Sequence, residues 1–82
     1  MTEQQIYDGL TAILRDVFDD DGLVARPELS ARDVPGWDSF NHINVIVAAE
    51  LRFGVKFKAS ELDGLHTLGD FARLIARRKA AA

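Results

Sequence analysis

Ser39 directly follows Asp38 in the run Pro35-Gly36-Trp37-Asp38-Ser39-Phe40. Proline and glycine interrupt regular structure, and either Asp38 or Ser39 can accept hydrogen bonds from the free N–H groups of a helix's first turn. The run predicts a turn, then a helix with a hydroxyl at its exposed start. Another macromolecule can reach such a hydroxyl, and an anion carried there sits at the positive end of the helix dipole. His42 lies three residues on, a neighbour of Ser39 on one helix face. Serine and histidine make a nucleophile–base pair only when a third group orients the base. No acid is spaced to do so, and the pair is read as non-catalytic.

The other reactive side chains point nowhere definite. Neither His42 nor His66 has a second histidine or cysteine at metal-ligand spacing. The acidic segment Asp19-Asp20-Asp21-Gly22 can be tested against a calcium loop. With Gly22 at the tight turn, Asp19, Asp21 and Glu28 fall on ligand positions, but the first ligand position is Val17 and Pro27 precedes Glu28. The segment reads as a solvated helix end. Arg73, Arg77, Arg78 and Lys79 read as a solvated cluster complementing the negative end of the last helix.

The elements that must position Ser39 follow from capping residues and periodicity. Thr2 and Gln5 form a capping-box pattern. Ile6, Leu10, Ile13, Leu14 and Val17 then trace one helical face, which ends near Phe18. Residues 19–37 have no period, with Leu23, Val24 and Leu29 as the side chains expected to pin them. A connection this long within a small domain implies a functional loop. In the helix after Asp38, Phe40, Ile43, Val45, Ile46, Val47, Ala48, Ala49, Leu51 and Phe53 cover more than one face. That helix is therefore central or meets a partner. Its residues Ile43, Ile46, Val47 and Ala49 either line a cavity for cargo or are ordinary core. Gly54 suits a left-handed helix end. Val55-Lys56-Phe57 alternates as an extended segment, and residues 60–64 allow one or two helical turns. Thr67 caps a last helix with Asp70 as its partner, and Leu68, Phe71, Ala72 and Ile75 form the buried stripe. The expectation is an all-α fold of three main helices and one short helix with a long first loop. Residues 1–79 form a single domain, and residues 80–82 a frayed tail.

Composition narrows the function. The chain has 82 residues, 48% of them apolar, with no cysteine and a net charge of −3. It holds one small core and has little room for an enclosed active site. It makes no disulfide, thiolate metal site or thiol nucleophile of its own. Thirteen acidic residues against ten basic ones do not form a nucleic-acid footprint. No signal peptide and no apolar run near the ~18 residues of a membrane span is visible. A soluble cytoplasmic protein without nucleic-acid or membrane contact is expected.

From Asp33 to about Lys79 the chain resembles the acyl carrier proteins. The centre of the resemblance is Trp37-Asp38-Ser39-Phe40. It continues through Ile43, Glu50, Phe53, Gly54-Val55-Lys56-Phe57, Leu62, Leu65, Thr67-Leu68-Gly69-Asp70 and Leu74-Ile75. The resemblance implies a four-helix bundle with a long first loop. It further implies that Ser39 receives 4′-phosphopantetheine from coenzyme A, with Asp38 as the motif's neighbouring residue. A phosphopantetheinyl transferase uses magnesium and releases adenosine 3′,5′-bisphosphate in this step. Acyl groups then ride as thioesters on the arm's thiol. Implied partners are an acyl-activating enzyme or acyltransferase and a downstream synthase or transferase, visited by a monomer. Trp37, Phe40, Asn41, His42, Asn44 and Val47 are the candidate docking residues. Two features depart from the family pattern. Phe40 stands where leucine is usual, and the helix carries only Glu50 and Arg52 as charges between Ser39 and Phe53. Both favour a specialised discrete carrier, in fatty-acid, lipid or secondary-metabolite synthesis, that docks by apolar and hydrogen-bond contacts. The alternatives are a peptidyl or aminoacyl carrier, or a small helical interaction module without a prosthetic group.

Overall fold

Helix α1 (Glu3–Val17) begins at a reciprocal cap. The Gln5 N–H donates to the Thr2 hydroxyl at 3.1 Å, and the Thr2 N–H donates to the Gln5 side chain at 2.8 Å. Ile6, Leu10, Ile13 and Leu14 form its buried face, as the periodicity predicts. In the computed structural model, which describes residues 1–81, three further helices follow: α2 (Ser39–Phe53), α3 (Ala59–Leu62) and α4 (Leu68–Ala81). The expected all-helical bundle with a long first loop is the observed fold. α4 continues through Ala80 and Ala81, where fraying was expected, while Ala82 lies outside the described residues.

α1 packs against both α2 and α4. Gly9 allows the close approach to α2, since a Cβ there would meet the Phe53 ring at 2.6 Å. α2 buries Val45, Ile46, Ala49 and Phe53 and ends at Gly54, whose φ of 68° is left-handed. α2 is therefore one wall of the bundle, and much of its apolar surface faces outward.

The first loop is pinned at Leu29, as expected, but also at Ala25 and Val34, which were not expected, and not at Val24. Ala25, Leu29 and Val34 are buried, whereas Leu23 is only partly buried and Val24 is exposed. The Ala25 N–H donates to the Thr11 hydroxyl at 2.9 Å, and Arg15 Nε donates to the Leu23 carbonyl at 2.8 Å. A short 3₁₀ turn, Ala31–Asp33, lies within the stretch that showed no period. The Asp33 carboxylate accepts from the Ser30 N–H at 2.9 Å and from its hydroxyl at 3.1 Å. These bonds hold the Asp33 carboxyl below its ordinary range.

α4 fastens the far end of this loop. Its Leu68 N–H donates to the Leu29 carbonyl at 2.9 Å, and its Gly69 N–H to the Pro27 carbonyl at 3.0 Å. Two of the four C-terminal cations, Arg78 and Lys79, are half-buried and tied to the bundle, where solvation was expected, while Arg73 forms an ion pair but stays exposed. Arg73 pairs with Asp70, Arg78 pairs with Glu61, and Lys79 Nζ donates to the Phe53 carbonyl at 3.0 Å. Glu50 turns inward to accept from the Phe57 N–H at 3.0 Å.

Asp70 completes the predicted cap of α4. Its carboxylate accepts from the His66 N–H at 3.0 Å and the Thr67 N–H at 3.2 Å. The His66 N–H leads, with Thr67 and Arg73 adding, in holding this carboxyl below the usual aspartate range, against partial desolvation. A lowered folded-state value stabilises the fold above the unfolded value of about 3.9, and that contribution is lost as pH falls through the folded value. Asp70→Asn is expected to lower the unfolding midpoint at neutral pH, with the gap to wild type closing on acidification below about pH 4. Urea titrations followed by Trp37 fluorescence measure both, and a gap that stays constant across this range contradicts the capping role.

Candidate functional site

The start of α2 is built from backbone geometry outward. Gly36 has φ 87°, a conformation that favours glycine, and turns the chain after Val34. Asp38 is extended and serves as the N-cap: its Oδ1 accepts from the Asn41 N–H at 2.8 Å, and its carbonyl from the His42 N–H at 2.9 Å. Asn41 Nδ2 donates back to the Gly36 carbonyl at 2.9 Å, closing the turn onto the helix. Ser39 is the first residue of α2 and is exposed. The bonds that build this corner make no use of its hydroxyl.

Two hollows lie beside Ser39. An open depression is lined by Ala31, Trp37, Asp38, Ser39, His42 and Ile43. An inner hollow of about 60 Å³ is walled by Leu29, Val45, Ile46, Leu68 and Phe71, with Trp37 and His42 at its edge. The expected cavity set is thereby split. Ile46 lines the hollow and Ala49 is core, while Ile43 and Val47 face solvent.

The six candidate docking residues also divide. Phe40, Asn44 and Val47 are exposed. Trp37, Asn41 and His42 are half-buried and hydrogen-bonded within the chain, where a projecting surface was expected. Trp37 packs on Phe18 with ring centroids 5.2 Å apart, and its indole N–H donates to His42 Nδ1 at 3.2 Å. Two residues not among those six, Ile43 and Leu51, join Phe40 and Val47: the four are 61%, 80%, 74% and 46% exposed, respectively, and form one stripe along α2. Their spacing of three, four and four is a helical face, so the signal for Ile43 and Leu51 lay in the periodicity. With Glu50 turned inward, Arg52 is the charge left exposed on this helix.

Ser39 has a neighbouring imidazole, but His42 Nδ1 already accepts from Trp37. Among the described residues no group of three His, Cys, Asp or Glu side chains could hold a metal ion, and no helix is long and apolar enough to cross a membrane. The acidic segment at 19–21 closes on itself, with Asp20 Oδ1 accepting from the Gly22 N–H at 2.9 Å. The corner can therefore present an alcohol to a visiting enzyme. The backbone N–H groups of Ser39 and Phe40 precede the donors used in capping, and they suit an anion placed on that alcohol.

No family model matches the chain. It is similar to the acyl carrier protein of Acidothermus cellulolyticus, with 33% identity over 82 residues covering 100% of this chain and 98% of that one. The meromycolate extension acyl carrier protein of Mycolicibacterium smegmatis is 32% identical, covering 93% of this chain and 77% of that one. The solution NMR structure of a holo acyl carrier protein from Geobacter metallireducens aligns with TM-score 0.87 and 43% identity, covering 93% of this chain and 87% of that one.

The cap makes Asp38 separable from Ser39. Asp38→Ala is expected to cost about 1 kcal/mol of stability, while Asp38→Asn, whose side-chain oxygen still accepts, keeps most of it. Denaturant unfolding and amide exchange at Asn41 measure the difference, and an Ala variant as stable and as protected as wild type contradicts the assignment.

Proposed function

The chain belongs to the acyl carrier protein family, and we propose that its functional residue is Ser39, esterified by a 4′-phosphopantetheine arm. The observation that carries this reading is the corner itself: an exposed hydroxyl on the first residue of α2, fixed by the Asp38 cap and the Gly36–Asn41 closure. The residues present suit a phosphodiester there, since the first-turn N–H groups and the helix dipole both favour negative charge. When bound, the arm supplies the terminal thiol on which acyl groups are held as thioesters, chemistry that this cysteine-free chain lacks.

The chain is a carrier and a substrate of a phosphopantetheinyl transferase. In the transfer, Ser39 Oγ forms a bond to the pantetheine-side phosphorus of coenzyme A as the pyrophosphate P–O bond breaks. Adenosine 3′,5′-bisphosphate leaves, and the hydroxyl proton passes to a base on the transferase. Asp38 holds the helix start in place, and its carboxylate marks the serine for the visiting enzyme. The need for coenzyme A supports a cytoplasmic setting. A loading acyl-activating enzyme or acyltransferase and a downstream synthase or transferase complete the cycle.

The docking face is the Phe40–Ile43–Val47–Leu51 stripe, with Asn44 beside it. Its lack of exposed acid supports a specialised discrete carrier that meets its partners through apolar contacts. Apolar contacts are little screened by salt, unlike exposed ion pairs.

Intact mass after incubation with coenzyme A, magnesium and a permissive transferase is expected to rise by one phosphopantetheine in wild type and to stay unchanged in Ser39→Ala. No gain in wild type favours the interaction module without a prosthetic group. In binding titrations of the same transferase, Leu51→Ala or Phe40→Ala is expected to weaken affinity roughly tenfold, whereas raising salt from about 50 to about 300 mM changes it less than about threefold. A steep salt dependence with little effect of either variant overturns the apolar docking face.

A further inference from the structure

The open depression beside Ser39 is poor in groups that can meet negative charge. Of the residues that line it with Ser39, Ala31 and Ile43 are apolar, and the Asp38 carboxylate only accepts hydrogen bonds. No lysine or arginine lines it. A phosphodiester on Ser39 adds a second negative charge beside that carboxylate. The Trp37 indole N–H is already committed, donating to His42 Nδ1 at 3.2 Å. Apart from Ser39 itself, His42 is the side chain left there with a hydrogen to give.

Trp37 decides which ring nitrogen gives it. Nδ1 accepts only while it is unprotonated, so the neutral imidazole carries its proton on Nε2. The indole is a firm partner. The Trp37 backbone N–H donates to the Val34 carbonyl at 3.2 Å, and its ring packs on Phe18 with centroids 5.2 Å apart. The imidazole is anchored as well, since the His42 backbone N–H donates to the Asp38 carbonyl at 2.9 Å. The chain offers Nε2–H no acceptor, yet Nε2 is not a buried orphan. Among the described residues the buried side-chain nitrogen without a partner is Arg78 Nε. An oriented donor open to water thus stands one helical turn from Ser39, in the same depression.

We propose that His42 is a phosphate-holding residue: its Nε2–H donates to the phosphodiester carried by Ser39, in the tautomer that Trp37 imposes. The proposal rests on attachment at Ser39. The backbone N–H groups at the start of α2 meet the anion along the helix axis. His42 meets it from the side of the depression. The phosphate is thereby fixed at the corner, and the arm's freedom begins beyond it. Trp37 acts through His42 and is a positioning residue for that donor.

The test uses the full isotope-labelled chain before and after reaction with coenzyme A and a transferase, at about pH 8, where an ordinary imidazole is neutral. Intact mass and peptide mapping first establish one arm on Ser39. Absence of the arm there refutes the attachment reading, and this proposal with it. Long-range proton–nitrogen spectra of the unloaded chain then read the tautomer. Wild type is expected to hold the proton on Nε2. Trp37→Phe keeps a ring for Phe18 but removes the indole donor, and it is expected to show both tautomers. On loading, exchange of the Nε2 proton with water is expected to slow at least about threefold in wild type, as protection follows the bonded population. The phosphorus resonance of the loaded chain is expected to move in His42→Ala and partway in Trp37→Phe. It is expected to return in His42→Gln, whose amide nitrogen can still donate. A wild-type imidazole protonated on Nδ1, or Nε2 exchange unchanged by loading, overturns the proposal. So does a phosphorus resonance that His42→Gln moves as far as His42→Ala, because lost packing does that without a lost donor. Where His42→Ala folds poorly, the tautomer and exchange readings in wild type and Trp37→Phe decide.

Discussion

Two hydrogen bonds from the first turn of α4 hold the long first loop, from the Leu68 N–H to the Leu29 carbonyl and from the Gly69 N–H to the Pro27 carbonyl. A helix start has N–H groups without intrahelical partners, and a loop that enters the core has carbonyls without water. Each need meets the other here. Gly69 eases the approach, because a Cβ at that position would lie 3.0 Å from the Pro27 oxygen. With the loop fastened there, Leu29 and Val34 reach the core. The chain then leaves the 3₁₀ turn aimed at Gly36, and Ser39 emerges at a fixed point on the surface.

The core supports that one presentation. α1 packs against α2 and α4, Gly9 brings α2 close, and Lys79 of α4 caps the α2 carbonyl end at Phe53. α2 is consequently held at both ends, by Asp38 at its start and by Gly54 and Lys79 at its finish. Its buried half is structural, and its outward half is free for contact. A chain without cysteine can serve thioester chemistry on such a frame, because it contributes position and surface while an attached group contributes reactivity.

Local rules made the helix boundaries legible. Thr2 with Gln5, Asp38, Gly54, and Thr67 with Asp70 each act within a few residues, and each occupies the capping position its sequence context implied. What was hidden depends on residues distant in the chain or on which face a helix turns inward. Residues 19–37 showed no period because single side chains and carbonyls, rather than a repeating face, tie them down. Val24 and Ala25 illustrate this: the larger side chain is outside and the smaller one inside, since the Ala25 N–H reaches Thr11 on α1. In α2, apolar residues on both faces left the buried side undecided, and Ile43 and Ile46 fell on opposite sides. Trp37 and His42 looked available for contact until their shared hydrogen bond and the Phe18 ring were seen.

The proposed carrier function depends on one covalent bond, between Ser39 Oγ and phosphorus. A proton–phosphorus correlation spectrum of the isotope-labelled chain, recorded after reaction with coenzyme A and a transferase, observes that bond directly. Attachment at Ser39 is expected to give a phosphodiester resonance coupled to the Ser39 β-protons. A phosphodiester resonance coupled to any other residue, or no such resonance after complete reaction, would contradict it.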